Sequence, residues 1–108
     1  MKQKRFNRIQ YEHSLWLQDD INGTRANLCK KNLSKINLNN INLSKSDLSY
    51  SKLENSELYD IDFRNADLSG VNLSYSLMSN IDFRNADLSF TNFSSSLFNI
   101  LLSLIILI

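Results

Sequence analysis

Large apolar residues recur at every fifth position from Leu28 to Phe98. The column reads Leu28, Leu33, Leu38, Leu43, Leu48, Leu53, Leu58, Phe63, Leu68, Leu73, Met78, Phe83, Leu88, Phe93 and Phe98 without a gap. Apolar residues make up 43% of the chain, so fifteen in register are not a product of chance. Two positions earlier runs a second column of small or aliphatic residues, among them Ala26, Ile36, Ser46, Ile61, Val71, Ile81 and Ala86, with Lys31 as its exception. Between the columns stands Asn or Asp in most repeats, as at Asn27, Asn37, Asp47, Asp62, Asp67 and Asp87. Two further polar positions complete each unit.

A period of five suits neither a helix at 3.6 residues per turn nor a long strand at two. It suits a strand of about three residues followed by a corner, with the first and third residues inward and the middle one outward. Four such corners return the chain to its starting side, so one coil takes twenty residues. The nonapeptide at residues 61–69 recurs unchanged at residues 81–89, an offset of twenty. Each side of the coil therefore stacks like on like, and the pattern predicts an all-β solenoid with four inward columns.

These repeats resemble the pentapeptide-repeat proteins, whose consensus is A(D/N)LXX. Residues 26–28, 66–68 and 86–88 match it outright, and the remaining pentads are close variants. The resemblance covers residues 26–100, fifteen pentads. It implies a right-handed quadrilateral β-helix of about four coils, with the third residue of each pentad inside and the first filling the corner. It does not imply one activity, because a fold is shared by proteins of unlike role.

A coil at either end of a solenoid lacks a neighbour and needs a cap. Phe6, Ile9, His13, Trp16 and Leu17 fall on one stripe of an amphipathic helix over residues 5–18. Gly23 is the expected chain reversal into the first coil. The chain thus divides into a capping segment at 1–25, the solenoid at 26–100 and an apolar tail at 101–108. In the tail the next inward position is Ser103, which breaks the pattern. Three alternatives stay open for it: a cap over the open end, a self-association surface making a homodimer, or a truncated or membrane-touching end. The tail is shorter than the ~20 residues a spanning helix takes.

Charge and composition narrow the function classes. Residues 1–25 carry a net +2 and the remainder −1, so neither has the excess of a phosphate-binding surface. Nucleic acid and membrane are not expected partners. Cys29 is the single cysteine, which rules out an internal disulfide and points to a reducing, cytoplasmic setting. The basic N-terminus has no apolar stretch of the kind a secretory signal requires. Proline is absent and glycine stands only at positions 23 and 70, so the corners must be made by other residues.

No catalytic spacing is present, and no enzyme activity, cofactor, metal or small-molecule substrate is expected. His13, the only histidine, lies on the apolar stripe of the helix, which favours a capping role. Cys29 follows an inward Leu and has no base beside it. The periodic Asp positions read as local side chain–backbone bonding, and Arg64 and Arg84 as an exposed ladder beside Asp62 and Asp82. Tyr50, Tyr59, Tyr75 and Phe90 fall on outward or corner positions, and Leu77 and Leu97 on one outward column, which makes these six the candidate interface.

The expected function is a non-catalytic protein-interaction or structural module whose protein partner is unidentified. The family supplies an alternative, since some of its members mimic duplex DNA and bind DNA gyrase or another topoisomerase, inhibiting it or protecting it from quinolones. Fewer than four coils span ~18 Å, a length over which duplex DNA carries ~10 negative charges. The repeats carry −1, which is the wrong charge for a mimic.

Overall fold

The computed structural model describes residues 1–98. The readings of the tail, and of the last two residues of the solenoid segment, fall outside the described residues. Helix α1 (Gln3–Leu17) is followed by four short strands: β1 (Ile41–Asn42), β2 (Glu57–Asp62), β3 (Leu77–Asp82) and β4 (Leu97–Phe98). They form one parallel sheet in the order β1-β2-β3-β4. Every pairing is offset by twenty, as in Ile41 with Ile61, Leu58 with Met78 and Leu77 with Leu97. Two further sides of the coil are linked by isolated bridges at the same offset, from Asn27 through Asp47 and Asp67 to Asp87, and from Asn32 through Lys52 and Asn72 to Asn92.

Each return hangs on the next by backbone bonds at every pentad. The Leu28 N–H donates to the Asp47 carbonyl at 2.7 Å, and the Asp47 N–H donates back to the Ala26 carbonyl at 3.1 Å. The same exchange repeats from Leu48 and Leu68. Between these bonds the column of third residues closes the interior: Leu28, Leu33, Leu38, Leu43, Leu48, Leu53, Phe63, Leu68 and Leu73 have no exposed surface. Leu58, Met78 and Phe83 are also buried, whereas Leu88, Phe93 and Phe98 are only half-buried. Phe63 and Phe83 stack across one return with ring centroids 5.8 Å apart.

The corners are built from residues in the left-handed conformation. Every fifth residue from Lys30 to Ser95 has a positive φ, with Lys35 as the exception, and only one of them, Gly70, is glycine. The Asn or Asp three residues earlier makes this affordable. Its side-chain oxygen accepts the N–H two residues on, as Asp47 does from Ser49 at 2.9 Å and Asn72 from Ser74 at 3.0 Å. Where the middle residue is Lys52, Glu57 or Leu77 that side-chain bond is absent, although Asn55, Asp60 and Asn80 remain left-handed; around Asp60 and Asn80 the strand pairing continues over six residues, giving β2 and β3.

Helix α1 covers the N-terminal opening. It starts two residues before, and ends one before, the stripe read from the sequence. Phe6 and His13 are its buried residues. Contacts reach several sides of the first return: the Met1 amino group donates to the Asn32 carbonyl, the Gln3 side chain exchanges bonds with the Asn37 backbone, and His13 meets Ala26 and Ser44.

Helix α1 is closed at Asp19 (φ 59), with the Asp20 N–H donating to the Leu15 carbonyl and the Asp19 N–H to the Trp16 carbonyl. This is a Schellman closure in which Asp supplies the left-handed residue. Gly23 closes the next turn, its N–H donating to the Asp20 carbonyl at 2.9 Å, at the place where a reversal is expected. A Cβ there would lie 2.2 Å from the Trp16 backbone nitrogen, so the chain passes too close to the helix for any side chain.

Candidate functional surface

The apolar and charged residues on the outside of the sheet form two shallow grooves. Twofold alternation in β2 and β3 turns Leu58 and Met78 inward and leaves Glu57, Tyr59 and Leu77 exposed. With Leu97 and Phe98 of β4 these line a groove of about 440 Å³. Leu77 and Leu97 lie directly in register and are 48% and 66% exposed. A second groove of about 480 Å³ lies past the corner residues Asp60 and Asn80, walled by Asp62, Arg64, Asp82 and Arg84.

That second groove is internally neutralised. Arg64 holds Asp62 through both carboxylate oxygens, with Nε–Oδ1 3.0 Å and Nη2–Oδ2 2.7 Å, and Arg84 holds Asp82 in the same way. Arg64 also stands 3.8 Å from Asp82, which makes the two pairs a ladder. Burial pulls the Asp62 carboxyl upward, but the bonds from Arg64 outweigh it and hold it below its ordinary range. The bond from Arg84 does the same for Asp82. These carboxylates are already engaged by their own arginines.

The remaining candidate interface residues occupy corners. Tyr50, Tyr75 and Phe90 all have left-handed backbones and exposed rings, and Phe90 is 90% exposed. The Tyr50 ring lies across Gly70, where a Cβ would come within 2.5 Å of it. The structure therefore brings Tyr59, Leu77 and Leu97 together, and sets Tyr50 and Phe90 along one edge. Sequence reasoning passed over two exposed apolar residues, Tyr11 and Ile21. Ile21 stands twenty residues before Ile41, in what looks like an inward position, yet it is 95% exposed because it precedes the first return. The only available signal for Tyr11 was its place off the helix stripe.

The residues with chemical potential are spent on structure. His13 is completely buried: its Nδ1 accepts the Ala26 N–H at 2.9 Å, and its Nε2 therefore carries the proton donated to the Ser44 carbonyl at 2.8 Å. Burial lowers its pKa; the bond to Ser44 opposes this and nearby Arg25 adds to it. Its ring stacks on Trp16 at 5.5 Å. The Cys29 sulfur is half-buried and lies 3.3 Å from the Ser49 Oγ, whose proton is donated to Asp47 Oδ1 at 2.7 Å. Among the described residues no cluster of three His, Cys, Asp or Glu is arranged to hold a metal ion. No helix of the described residues is long and apolar enough to cross a membrane.

A parallel sheet that closes on itself every twenty residues around a column of Leu and Phe defines a β-solenoid. The family model for pentapeptide repeats matches eight copies over residues 24–60 and 61–99, and the chain belongs to that family. Among solved structures it is similar to Rfr23, a pentapeptide repeat protein from the cyanobacterium Cyanothece 51142, with 24% identity and a TM-score of 0.65. That match covers 68% of this chain and 50% of Rfr23, so the chain spans half the length of that protein. HetL, a pentapeptide repeat protein involved in heterocyst differentiation regulation in Nostoc sp. strain PCC 7120, matches at 20% identity and a TM-score of 0.37, over 68% of this chain and 45% of HetL. No curated protein matches.

Proposed function

We propose that this chain is a non-catalytic scaffold, a right-handed four-sided solenoid of about four coils, that presents a rigid outer surface to a protein partner. The observation that carries the reading is the groove on the face of the sheet in which Leu77 and Leu97 stand in register and Tyr59, paired with Ser79, lies diagonally beside them. Backbone bonds fix these side chains, so a partner meets a surface whose ordering cost is already met in folding. The chemically capable residues, His13 above all, are consumed by the fold. A lone, half-buried thiol at Cys29 supports a cytoplasmic setting.

The test compares the intact chain with a Tyr59→Ser, Leu77→Ser, Leu97→Ser variant in crosslinking capture, after circular dichroism has shown both to be folded. A protein captured by the parent and lost from the variant supports the reading. Identical captures from both chains overturn the assignment of this face. Action on DNA gyrase is the alternative, and the absence of any effect on supercoiling, with or without a quinolone, removes it.

A further inference from the structure

Ionisable residues are segregated along the solenoid axis. Residues 1–45, the cap and the first return, carry nine of the twelve Lys and Arg and three of the eleven Asp and Glu, a net of +6. Residues 46–108 carry three and eight, a net of −5. Residues 26–45 alone hold four lysines and no acid. Because each return stacks on the next at an offset of twenty, this division along the sequence becomes a division in space. The nine cations of the basic end are all exposed. By return the net charge runs +4 over residues 26–45, −3 over 46–65, −1 over 66–85 and −1 over 86–98, so a basic patch on the first return adjoins an acidic one on the returns that follow.

One edge of the solenoid carries both patches. Lys30, Tyr50, Gly70 and Phe90 occupy the same corner in successive returns, and Lys31 adjoins Lys30. Asp47, Asp67 and Asp87 stand three residues before Tyr50, Gly70 and Phe90 and are bridged to one another in register. Returns repeat at ~4.8 Å, which places Phe90 about 14 Å from Lys30 along the edge.

We propose that this edge is the contact surface for a second copy of the chain, lying antiparallel. Lys30 and Lys31 of one copy face Asp67, Asp87 and Phe90 of the other, and the twofold axis repeats the contact. The proposal deepens the interaction-module reading and rests on it, by naming the partner. Charge complementarity chooses the arrangement: a parallel pair would set basic end against basic end, whereas a head-to-tail contact would use each patch once and leave the assembly open. The antiparallel pair matches both patches and closes. Phe90, with its ring in solvent, offers a face on which a lysine ammonium of the partner can sit.

Light scattering on the full chain tests this at low ionic strength and in ~1 M salt, where the screening length falls to ~3 Å. The expected mass is twice 12.5 kDa at low salt and 12.5 kDa at high salt. Three variants keep the fold and remove the contact. Phe90→Gly suits the left-handed corner (φ 59), and should weaken the dimer at least tenfold without lowering the melting temperature. Asp67→Asn with Asp87→Asn keeps the oxygens that accept the Ser69 and Ser89 N–H groups. Lys30→Asn with Lys31→Ser empties the basic patch. Each charge variant alone should be monomeric, and an equal mixture of the two should form a mixed dimer, since each supplies the charge the other lacks. A monomer at every salt concentration overturns the proposal, as does a dimer indifferent to salt and to these substitutions. Either result leaves capture through Tyr59, Leu77 and Leu97 standing as a separate question.

Discussion

At single positions the fold depends on backbone conformations that its residues do not favour. Tyr75 holds φ 57 with its side chain largely in solvent. A left-handed non-glycine residue costs ~1–2 kcal/mol, and glycine gives back ~0.5–1 kcal/mol through a freer unfolded chain. Tyr75→Gly is therefore expected to raise stability by ~0.5–1 kcal/mol, read as a higher urea midpoint; a lower midpoint would mean that the Tyr75 ring packs more than its exposure suggests. Gly23 presents the opposite case. A methyl group there meets the Leu15 and Trp16 backbone rather than a movable side chain. Gly23→Ala should cost ~1–3 kcal/mol, and an unaltered melting temperature would show that the chain can back away from α1.

The elements are joined by buried polar groups, some satisfied and some not. Ser76 lies inside with its hydroxyl donating to the Leu53 carbonyl at 2.9 Å and accepting the Ser56 N–H at 3.1 Å. Ser51 is equally buried, but its hydroxyl has no partner. Val71 fills the same place one return later. An unpaired buried hydroxyl costs ~1–3 kcal/mol, so Ser51→Val should stabilise by about 1 kcal/mol, whereas Ser76→Ala should destabilise by a similar amount. Equal and opposite shifts in denaturant midpoint are the expected readout, and two losses would refute the distinction.

The bond from α1 to the first return is also conditional, because it passes through neutral His13. Its pKa is lowered in the folded chain, so the folded state binds fewer protons than the unfolded state as pH falls through ~6.5. The stabilisation is complete above that pH and is lost as pH drops towards the lower folded value. Protonation at Nδ1 would also set one donor against another at the Ala26 N–H. As the chain has no second histidine, a melting temperature that falls between pH 7 and pH 5, and no longer does so in His13→Gln, assigns the effect to this ring. A flat profile in the parent chain would contradict it.

Much of this architecture was legible because five-residue spacing and the twenty-residue copy act directly on side-chain direction and stacking. The corners were less legible. Left-handed φ at Lys30, Tyr50 or Phe90 comes from the closure of the coil rather than from the preference of the residue. The task of Gly23 depends on where α1 lies, and the second bond of His13 depends on Ser44, thirty-one residues away. Local pattern carries no trace of either. The six exposed residues could be placed on outward positions, but which of them share a groove followed only from the register of β2, β3 and β4.

For the whole molecule, stability should be graded from one end to the other, since each return is buried by its neighbours. Leu28, Leu48, Leu68 and Leu88 form one inward column with identical local sequence roles. Leu48 and Leu68 sit between returns and are fully buried; Leu28, in the first return, is fully buried as well, because α1 lies across the opening. Leu88 is only half-buried. Truncating a fully enclosed leucine costs ~2–5 kcal/mol, and the cost falls with the cavity left behind. Leu28→Ala and Leu48→Ala should therefore fall in that range and be alike, with Leu88→Ala costing ~1–2 kcal/mol. Hydrogen exchange should follow the same order, fastest at the amides of the last described return. If Leu28→Ala proved as mild as Leu88→Ala, α1 would not be a cap, and the folding unit would be the repeats alone.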